Sequence, residues 1–234
     1  MCGKFTALAS WSEVVDFSRP LTEGGGDGAG GNEDGDNEIV TYRVGSLLPV
    51  IIWDAERRAR RVVKMRWGFP DLKDWRRPRP IHARAETIDS REAFRKAFHD
   101  GQRGIVVFAT FNEGQEITKA SGKNQTQQWT VDPQDGQPRG FAFVWRRFDI
   151  PDLPMPMLAC AMVTVAANDL IRTTIKADED DPRMPAILED DAWSIWLGED
   201  GMAPDAVKAV LRTMEGVNWQ AAPEPRRTRP RKPQ

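Results

Sequence analysis

The order of strand-like and helix-like segments constrains the fold of this chain most strongly. Short stretches rich in valine, isoleucine and aromatic residues, bounded by glycine, proline and aspartate, predict strands. Such stretches lie at 47–53, 61–67, 104–111, 127–131, 141–147 and 158–166, a looser one lies at 1–8, and helical patterns lie at 12–17, 90–98, 189–197 and 204–214. Because strands and helices do not alternate regularly, we expect an α+β domain with a mixed, largely antiparallel, barrel-like sheet flanked by helices.

Length and local composition predict one domain. A chain of 234 residues can bury a substantial core without a disulfide or a metal ion. Residues 23–38 carry six acidic residues, no basic residue and many glycines, and such a segment cannot bury enough apolar surface to order itself. We therefore assign residues 1–222 to a single domain with a mobile glycine-rich acidic loop at 23–38. Residues 223–234 predict a disordered, basic, proline-rich tail.

Cysteine usage and the lack of long apolar runs indicate a cytoplasmic protein. Cys2 and Cys160 are the only cysteines, and their separation fits neither a metal site nor a redox motif. The N-terminus lacks the basic and apolar regions of a signal peptide, and no apolar run is long enough to cross a bilayer. We expect no bound metal or cofactor and no membrane partner.

The start of the chain, Met1-Cys2-Gly3, offers unusual chemistry. Trimming of Met1, which is usual before a small residue, leaves an α-amine and a thiol on adjacent carbons of Cys2. An α-amine titrates near ~8 and a thiol near ~8.5, so both are partly nucleophilic at neutral pH. The pair can act as an N-terminal nucleophile in a hydrolase, or it can condense with an aldehyde to a five-membered thiazolidine ring. Alternatively, Cys2 is only the second residue of an ordered strand.

A basic segment predicts contact with nucleic acid. The chain has a net charge of −2, yet eleven basic residues lie between positions 57 and 84 against two acidic ones. The basic residues are Arg57, Arg58, Arg60, Arg61, Lys64, Arg66, Lys73, Arg76, Arg77, Arg79 and Arg84. Trp67, Phe69 and Trp75 lie among them, and arginines interleaved with aromatic rings suit single-stranded nucleic acid. A solvated, charged hairpin is the alternative interpretation.

Three further residues are candidates for the chemistry. His82 directly follows the basic segment and could act as a base. Glu113 follows the apolar run 105–111, where burial could raise its pKa and suit it to proton transfer, although a turn residue beside glycine would look the same. Arg183 precedes a buried segment; such an arginine usually pairs with an acid and less often binds a phosphate.

Four short motifs occur in a specific order along the chain. They are Met1-Cys2-Gly3-Lys4-Phe5, Arg66-Trp67-Gly68-Phe69-Pro70, Ala83-Arg84-Ala85-Glu86-Thr87 and Arg183-Met184-Pro185-Ala186-Ile187-Leu188. Together they resemble the SOS response-associated peptidase (SRAP) family, the abasic-site processing proteins. The resemblance extends over nearly the whole chain up to about Leu197.

The resemblance implies a function and a set of site residues. Members of this family capture the ring-opened aldehyde of an abasic site in single-stranded DNA as a thiazolidine crosslink on the N-terminal cysteine, which Cys2 matches. Glu113 matches the family's active-site glutamate, Arg84 and Arg183 match its phosphate-contacting arginines, and Trp67 lies in the matching tryptophan-glycine motif. We expect Arg66, Arg76 and Arg77 to add attraction for DNA. A monomer that associates with the nucleoid when bound to DNA is expected.

Three departures from the family pattern concern the site itself. His82 stands where the family usually has asparagine, and Glu113 lacks the usual aromatic neighbours. Asp181, which follows an acidic insertion, stands in place of a histidine thought to donate a proton to the sugar ring oxygen. A carboxylate is ionised at neutral pH and is a poor proton donor. We hypothesise that capture survives and that His82 supplies the missing proton.

Two other functions remain open from the sequence. An N-terminal-nucleophile glutamine amidohydrolase also often begins Met-Cys-Gly, but it needs a four-layered sandwich with a glutamine-binding arginine, which we cannot place. A non-covalent single-stranded DNA-binding module is the second alternative, because the altered site residues could have ended the chemistry while keeping the binding.

Overall fold

A computed structural model describes residues 2–8, 39–118, 122, 124–134, 139–215 and 218–225. The predicted helix at 12–17 and the predicted acidic loop at 23–38 lie outside these residues. Residues 226–234 of the predicted tail lie outside them as well. Among the described residues, no helix is long and apolar enough to cross a membrane.

Strands dominate the described part of the chain. In order they are β1 (Lys4–Leu8), β2 (Ile39–Arg43), β3 (Leu47–Asp54), β4 (Ala59–Trp67), β5 (His82–Arg84), β6 (Arg103–Phe108), β7 (Thr110–Thr118), β8 (Asn124–Asp132), β9 (Arg139–Phe148), β10 (Met157–Ala166), β11 (Arg183–Pro185), β12 (Ile187–Leu188) and β13 (Gln220–Pro223). The α-helices are α1 (Glu92–His99), α2 (Trp193–Leu197) and α3 (Pro204–Ala209), and a π-helical segment covers Ile171–Ile175.

Five strands close into a mixed barrel in the order β10-β4-β3-β6-β9 and back to β10. The β4–β10 pair is parallel and the other four pairs are antiparallel. Apolar side chains from these strands, among them Met65, Ile105 and Met162, are fully buried. Short strands β5 and β11 extend the barrel sheet beside β10, and β12 extends it beside β9. The expected α+β class with a barrel-like sheet is confirmed.

An antiparallel five-stranded sheet in the order β13-β8-β7-β1-β2 packs on this barrel. Phe5 of β1 and Phe111 of β7 are fully buried, and both rings meet the ring of Phe141 from the barrel edge-on. Burial of such aromatic area is the main favourable term in joining two sheets. The packing fixes β1, and therefore Cys2 just before it, between the two sheets.

Three predicted elements differ from the observed ones in where they begin or end. The predicted strand 104–111 is two strands, because the chain leaves the barrel at Ala109 and enters the outer sheet. Phe108 and Phe111 on either side of this break are both buried. The apolar pattern therefore continues across the break and does not reveal that the chain changes sheets. The predicted helix at 189–197 is α-helical only over Trp193–Leu197, and the one at 204–214 ends at Ala209.

The predicted start of the tail at residue 223 is wrong. Pro223 is the last residue of β13, which pairs with β8 at the edge of the outer sheet, where a proline is tolerated. Glu224 continues this contact: its backbone amide donates to Gln128, and its carboxylate accepts from Lys4 and Asn112. The ordered part of the domain therefore extends to at least Pro225.

Candidate active site around Cys2

Cys2 lies in a nearly closed position between the two sheets. Its residue surface is 1% exposed, and its thiol donates to the carbonyl of Lys4 at 3.3 Å. The backbone amide of Asn112 in turn donates to the sulfur, because Lys4 of β1 pairs with Asn112 of β7. Burial, and next the nearby charge of Glu113, raise the pKa of the Cys2 thiol, so the resting sulfur is protonated.

Glu113 is the buried acid of this site. It lies on β7 two residues after Phe111, and alternation along a strand therefore turns its side chain toward the same interior face. Its surface is 0% exposed. Burial raises the pKa of Glu113, and the positive charges of the amino terminus and of Lys176 oppose that rise. A carboxyl group in this setting is suited to exchange a proton with an adjacent amine.

His82 holds the backbone of Cys2. It lies on β5, which pairs with β10, and its Nε2 atom donates to the carbonyl oxygen of Cys2 at 2.7 Å. Burial lowers the pKa of His82 to about 4, so the imidazole is neutral at neutral pH. A neutral ring whose N–H is already engaged is a poor proton source. In this geometry the imidazole holds the backbone of Cys2, and proton donation by His82 stays a prediction.

Lys176 is a residue of this site that the sequence did not reveal. It directly follows the π-helical segment, its side chain is 4% exposed, and its Nζ atom lies 3.8 Å from Oε2 of Glu113. The same ammonium lies 2.6 Å from Oε1 of Glu179. A lysine in a run of charged residues is usually solvated. The one available signal was its place right after the apolar Ile175.

Asp181, predicted at the site, belongs to a neighbouring cluster of charges. Its carboxylate lies 3.0 Å from Nη2 of Arg84 and 3.6 Å from Nη1 of Arg183. Arg84 is on the same face of β5 as His82, because the two are separated by one residue. The side chain of Arg84 is 60% exposed, so it can reach a phosphate only in competition with Asp181.

Arg183, predicted to contact a phosphate, is buried and paired with an acid in this structure. Its residue surface is 6% exposed, and its guanidinium forms a fork with both carboxylate oxygens of Glu86 at 2.8 and 2.7 Å. It also donates to the carbonyl of Thr164 on β10. A bidentate arginine of this kind fixes geometry, here that of β11 against β10 and of Glu86 after β5. Pairing with an acid, the alternative from the sequence, is what the structure shows.

Of two further residues predicted to contact DNA, Trp67 is buried, whereas Arg66 is half-buried and bound to backbone carbonyls. The Trp67 ring is fully buried against Phe5 and Phe143, and its Nε1 atom donates to the carbonyl of Ile81, so no base can stack on it. The Arg66 guanidinium donates to the backbone carbonyls of Trp75 and Arg76. Both side chains thus fix the loop 68–81 to the end of β4.

This loop, which we call the arginine loop (residues 68–81), carries exposed cations. It leaves the barrel after Trp67 and returns at His82, whose imidazole contacts Cys2. Arg76 and Arg77 are exposed, share Asp74 as an ion-pair partner, and Arg76 lies over the Trp75 ring at 4.8 Å from its centre. These two arginines fit the predicted role in attracting phosphates.

The other half of the predicted basic segment lies elsewhere. Arg57 and Arg58 are in the turn between β3 and β4, whereas Leu47 and Arg66 at the opposite end of this hairpin are next to the arginine loop. Eight residues of extended strand span about 26 Å at ~3.3 Å per residue. The basic residues of this stretch are therefore spread along the hairpin, with Arg61 and Lys64 exposed on β4, and do not form one patch.

A groove of about 1030 Å³ opens beside the site at Gly3 and Lys4. Its charged lining residues are Lys4, Arg43, Lys176, Glu116, Glu179 and Glu224. Three cations and three acids make the groove close to neutral. In the described part of the chain, no cluster of histidine, cysteine, aspartate and glutamate side chains could hold a metal ion.

Comparison with known proteins agrees with this architecture. The family model described as SOS response associated peptidase (SRAP) matches residues 1–226. A comparison with curated protein sequences gives no match.

Among solved structures, a protein from Bordetella bronchiseptica has a TM-score of 0.70 at 19% identity, covering 96% of this chain and 100% of that chain. A phage-related protein from the same organism has a TM-score of 0.66 at 16% identity, covering 96% and 95%. A protein from Bacteroides thetaiotaomicron has a TM-score of 0.64 at 19% identity, covering 78% and 76%. Because the sequence identities are this low, the similarity to these structures shows a shared fold and nothing further.

Proposed function

Because the chain belongs to the SOS response associated peptidase (SRAP) family, we propose that it captures abasic sites in single-stranded DNA covalently through Cys2. The observation that supports this most is the convergence of three groups. The thiol of Cys2 lies within reach of the charge of Glu113, and the imidazole of His82 binds the backbone carbonyl of Cys2, so three distant parts of the chain converge on this residue.

The reaction needs a base and then an acid at one point. After removal of Met1, Glu113 takes a proton from the α-ammonium of Cys2, and the amine adds to the C1′ aldehyde of the opened sugar. Glu113 returns the proton to the resulting hydroxyl, which leaves as water and gives a protonated imine. The sulfur then adds to the carbon of the protonated imine while the thiol proton passes to Glu113 and from there to solvent, which closes the thiazolidine with a neutral nitrogen. The aldehyde and the aminothiol in its ammonium form become the thiazolidine, one water and one proton.

The state of the thiol favours this order of events. Burial raises the pKa of the Cys2 thiol, so attack by a preformed thiolate, as in an N-terminal-nucleophile amidohydrolase, is disfavoured. The amine beside Glu113 acts first and the sulfur follows. The barrel with its packed outer sheet also differs from the four-layered sandwich that the amidohydrolase interpretation requires.

A denaturing gel tests the proposal with three matched oligonucleotides. One carries a natural abasic site, one carries a tetrahydrofuran analogue that cannot open to an aldehyde, and one is intact. We expect a slowly migrating covalent species with the natural abasic site only. Binding to all three without any covalent species would establish the non-covalent binding module instead, and release of ammonia from glutamine would establish the amidohydrolase.

Replacing Asp181 with asparagine should strengthen binding to single-stranded DNA. Asp181 holds the exposed guanidinium of Arg84, so removing the carboxylate leaves that cation to a phosphate. An exposed ion pair contributes about 0.5–1 kcal/mol, and we expect Kd for the tetrahydrofuran oligonucleotide to fall about two- to five-fold. Asp169→Asn, which removes an exposed acid paired with Arg172, controls for net charge. Equal effects of the two variants would contradict a role for Arg84.

Neutralising two arginines of the arginine loop should reduce the salt dependence of binding. For single-stranded DNA, each phosphate that the protein neutralises adds about 0.7 to the slope of log K against log salt. Arg76→Gln combined with Arg77→Gln should therefore lower that slope by about 1.4. Arg57→Gln with Arg58→Gln, at the far end of the β3–β4 hairpin, is the matched control and should leave the slope unchanged. A similar decrease of the slope in both double variants would indicate a general electrostatic attraction, in which the DNA follows no defined path over the protein surface.

A further inference from the structure

The ammonium of Lys176 lies between two carboxylates of different exposure. Glu113 on one side is fully buried, whereas the side chain of Glu179 on the other is 40% exposed. A lysine that is itself 4% exposed is costly unless its charge is compensated. Both carboxylates provide that compensation. The ammonium of Lys176 therefore interacts with one acid inside the site, Glu113, and with one acid at its edge, Glu179.

We propose that Lys176 is a positioning residue of the capture site, which keeps Glu113 in its ionised, proton-accepting form, and that Glu179 limits this effect. The inference rests on the proposed function, because it takes Glu113 as the base for the α-ammonium of Cys2. Lys176 itself takes up and releases no proton in the cycle. Its fixed positive charge stabilises the Glu113 carboxylate before the amine attacks.

The groups around Glu113 act on its pKa in opposite directions. Burial raises the pKa of Glu113, the amino terminus and Lys176 lower it, and Glu179 raises it. Burial would lower the pKa of Lys176, but its hydrogen bond to Glu179 and the charge of Glu113 raise it overall, so the ammonium persists at neutral pH. Removal of Lys176 and removal of the charge of Glu179 should therefore shift the Glu113 titration oppositely.

The expected result is a pair of shifts with opposite signs. An opposite charge at this distance shifts a carboxyl pKa by about 1–3 units. Lys176→Met should move the acid-side limb of the crosslinking rate to higher pH and slow crosslinking about ten-fold at pH values below that limb. Glu179→Gln should move the limb to lower pH. Lys176→Arg keeps the charge and should restore the limb of the original protein.

Carbon NMR of the side-chain carboxyls provides a second readout that does not depend on DNA. The Glu113 signal, assigned by its disappearance in Glu113→Gln, should titrate at higher pH in Lys176→Met and at lower pH in Glu179→Gln. These shifts without any crosslink in the original protein would uphold the charge assignment and reject the proposed function. Lys96→Met, which removes an exposed lysine paired with Asp100, should move neither readout.

Two outcomes would overturn the inference. The first is a shift of the same sign, or no shift, in Lys176→Met and Glu179→Gln, since a merely structural role would affect both variants alike. The second is a borohydride-stable adduct on Lys176, because a lysine that attacks the aldehyde would be a nucleophile and not a fixed charge. Binding of the tetrahydrofuran oligonucleotide confirms that each variant is folded.

Discussion

Replacement of Cys2 by alanine should abolish the stable crosslink to abasic single-stranded DNA. Alanine also permits removal of Met1, so the α-amine remains and can still form an imine. Without the sulfur the imine cannot close to a thiazolidine, and water reverses it. We expect less than about one hundredth of the original covalent product on a denaturing gel, a difference of at least two decades in yield.

Two controls make this result specific to the thiazolidine. Sodium borohydride should restore a covalent product in Cys2→Ala, because it reduces the imine to a stable amine. Cys160→Ala removes the other cysteine, which is fully buried beside Arg66 of the barrel, and should crosslink as the original protein does. A borohydride-independent crosslink in Cys2→Ala would mean that another group traps the aldehyde.

Glu113→Gln should slow crosslinking by about 10²- to 10⁴-fold, the usual contribution of a positioned acid–base group. Glutamine keeps the shape and hydrogen-bonding capacity of the side chain but cannot carry a proton. Binding to the tetrahydrofuran oligonucleotide should change little, so the decrease lies in the rate of the chemical step. Single-turnover kinetics with protein in excess measure this rate directly.

The pH dependence of the crosslinking rate should distinguish Glu113 from the other acids of the protein. Its carboxyl group must be ionised to accept a proton, so the rate falls as pH falls through the pKa of Glu113. Because that pKa is raised, the fall begins at a higher pH than an ordinary carboxyl group would give. This limb should vanish in Glu113→Gln and persist in Glu116→Gln, which changes another acid on the same strand. Equal rates in Glu113→Gln and the original protein would remove Glu113 from the mechanism.

The main strands and the α+β class could be predicted because each depends on short-range patterns of valine, isoleucine and aromatic residues. The candidate site, in contrast, is formed by pairing between strands that are far apart in the sequence. Cys2 and Glu113 meet only because β1 and β7 pair with Lys4 opposite Asn112. That register follows from the burial of Phe5 and Phe111 between the sheets, and no local pattern encodes it.

The burial of two residues predicted to contact DNA, Trp67 and Arg183, could not be predicted from the sequence, for one physical reason. Arginine and tryptophan in a basic segment look like surface residues, and composition does not show which of them are compensated internally. Arg183 is held by Glu86, which lies 97 residues earlier in the chain, and Trp67 is buried by Phe5 from another sheet. The burial of Lys176 could not be predicted for the converse reason, because the two carboxylates that compensate its charge are brought to it only by the fold.

The central claim, covalent capture by the N-terminal aminothiol, is tested most directly by intact mass spectrometry. The protein is incubated at neutral pH with single-stranded DNA that contains one abasic site, and the adduct is then digested and mapped. We predict a mass equal to that of the protein without Met1 plus the oligonucleotide minus one water, with the modification on Cys2. An adduct that retains Met1, an adduct on another residue, or no adduct at all would contradict the account.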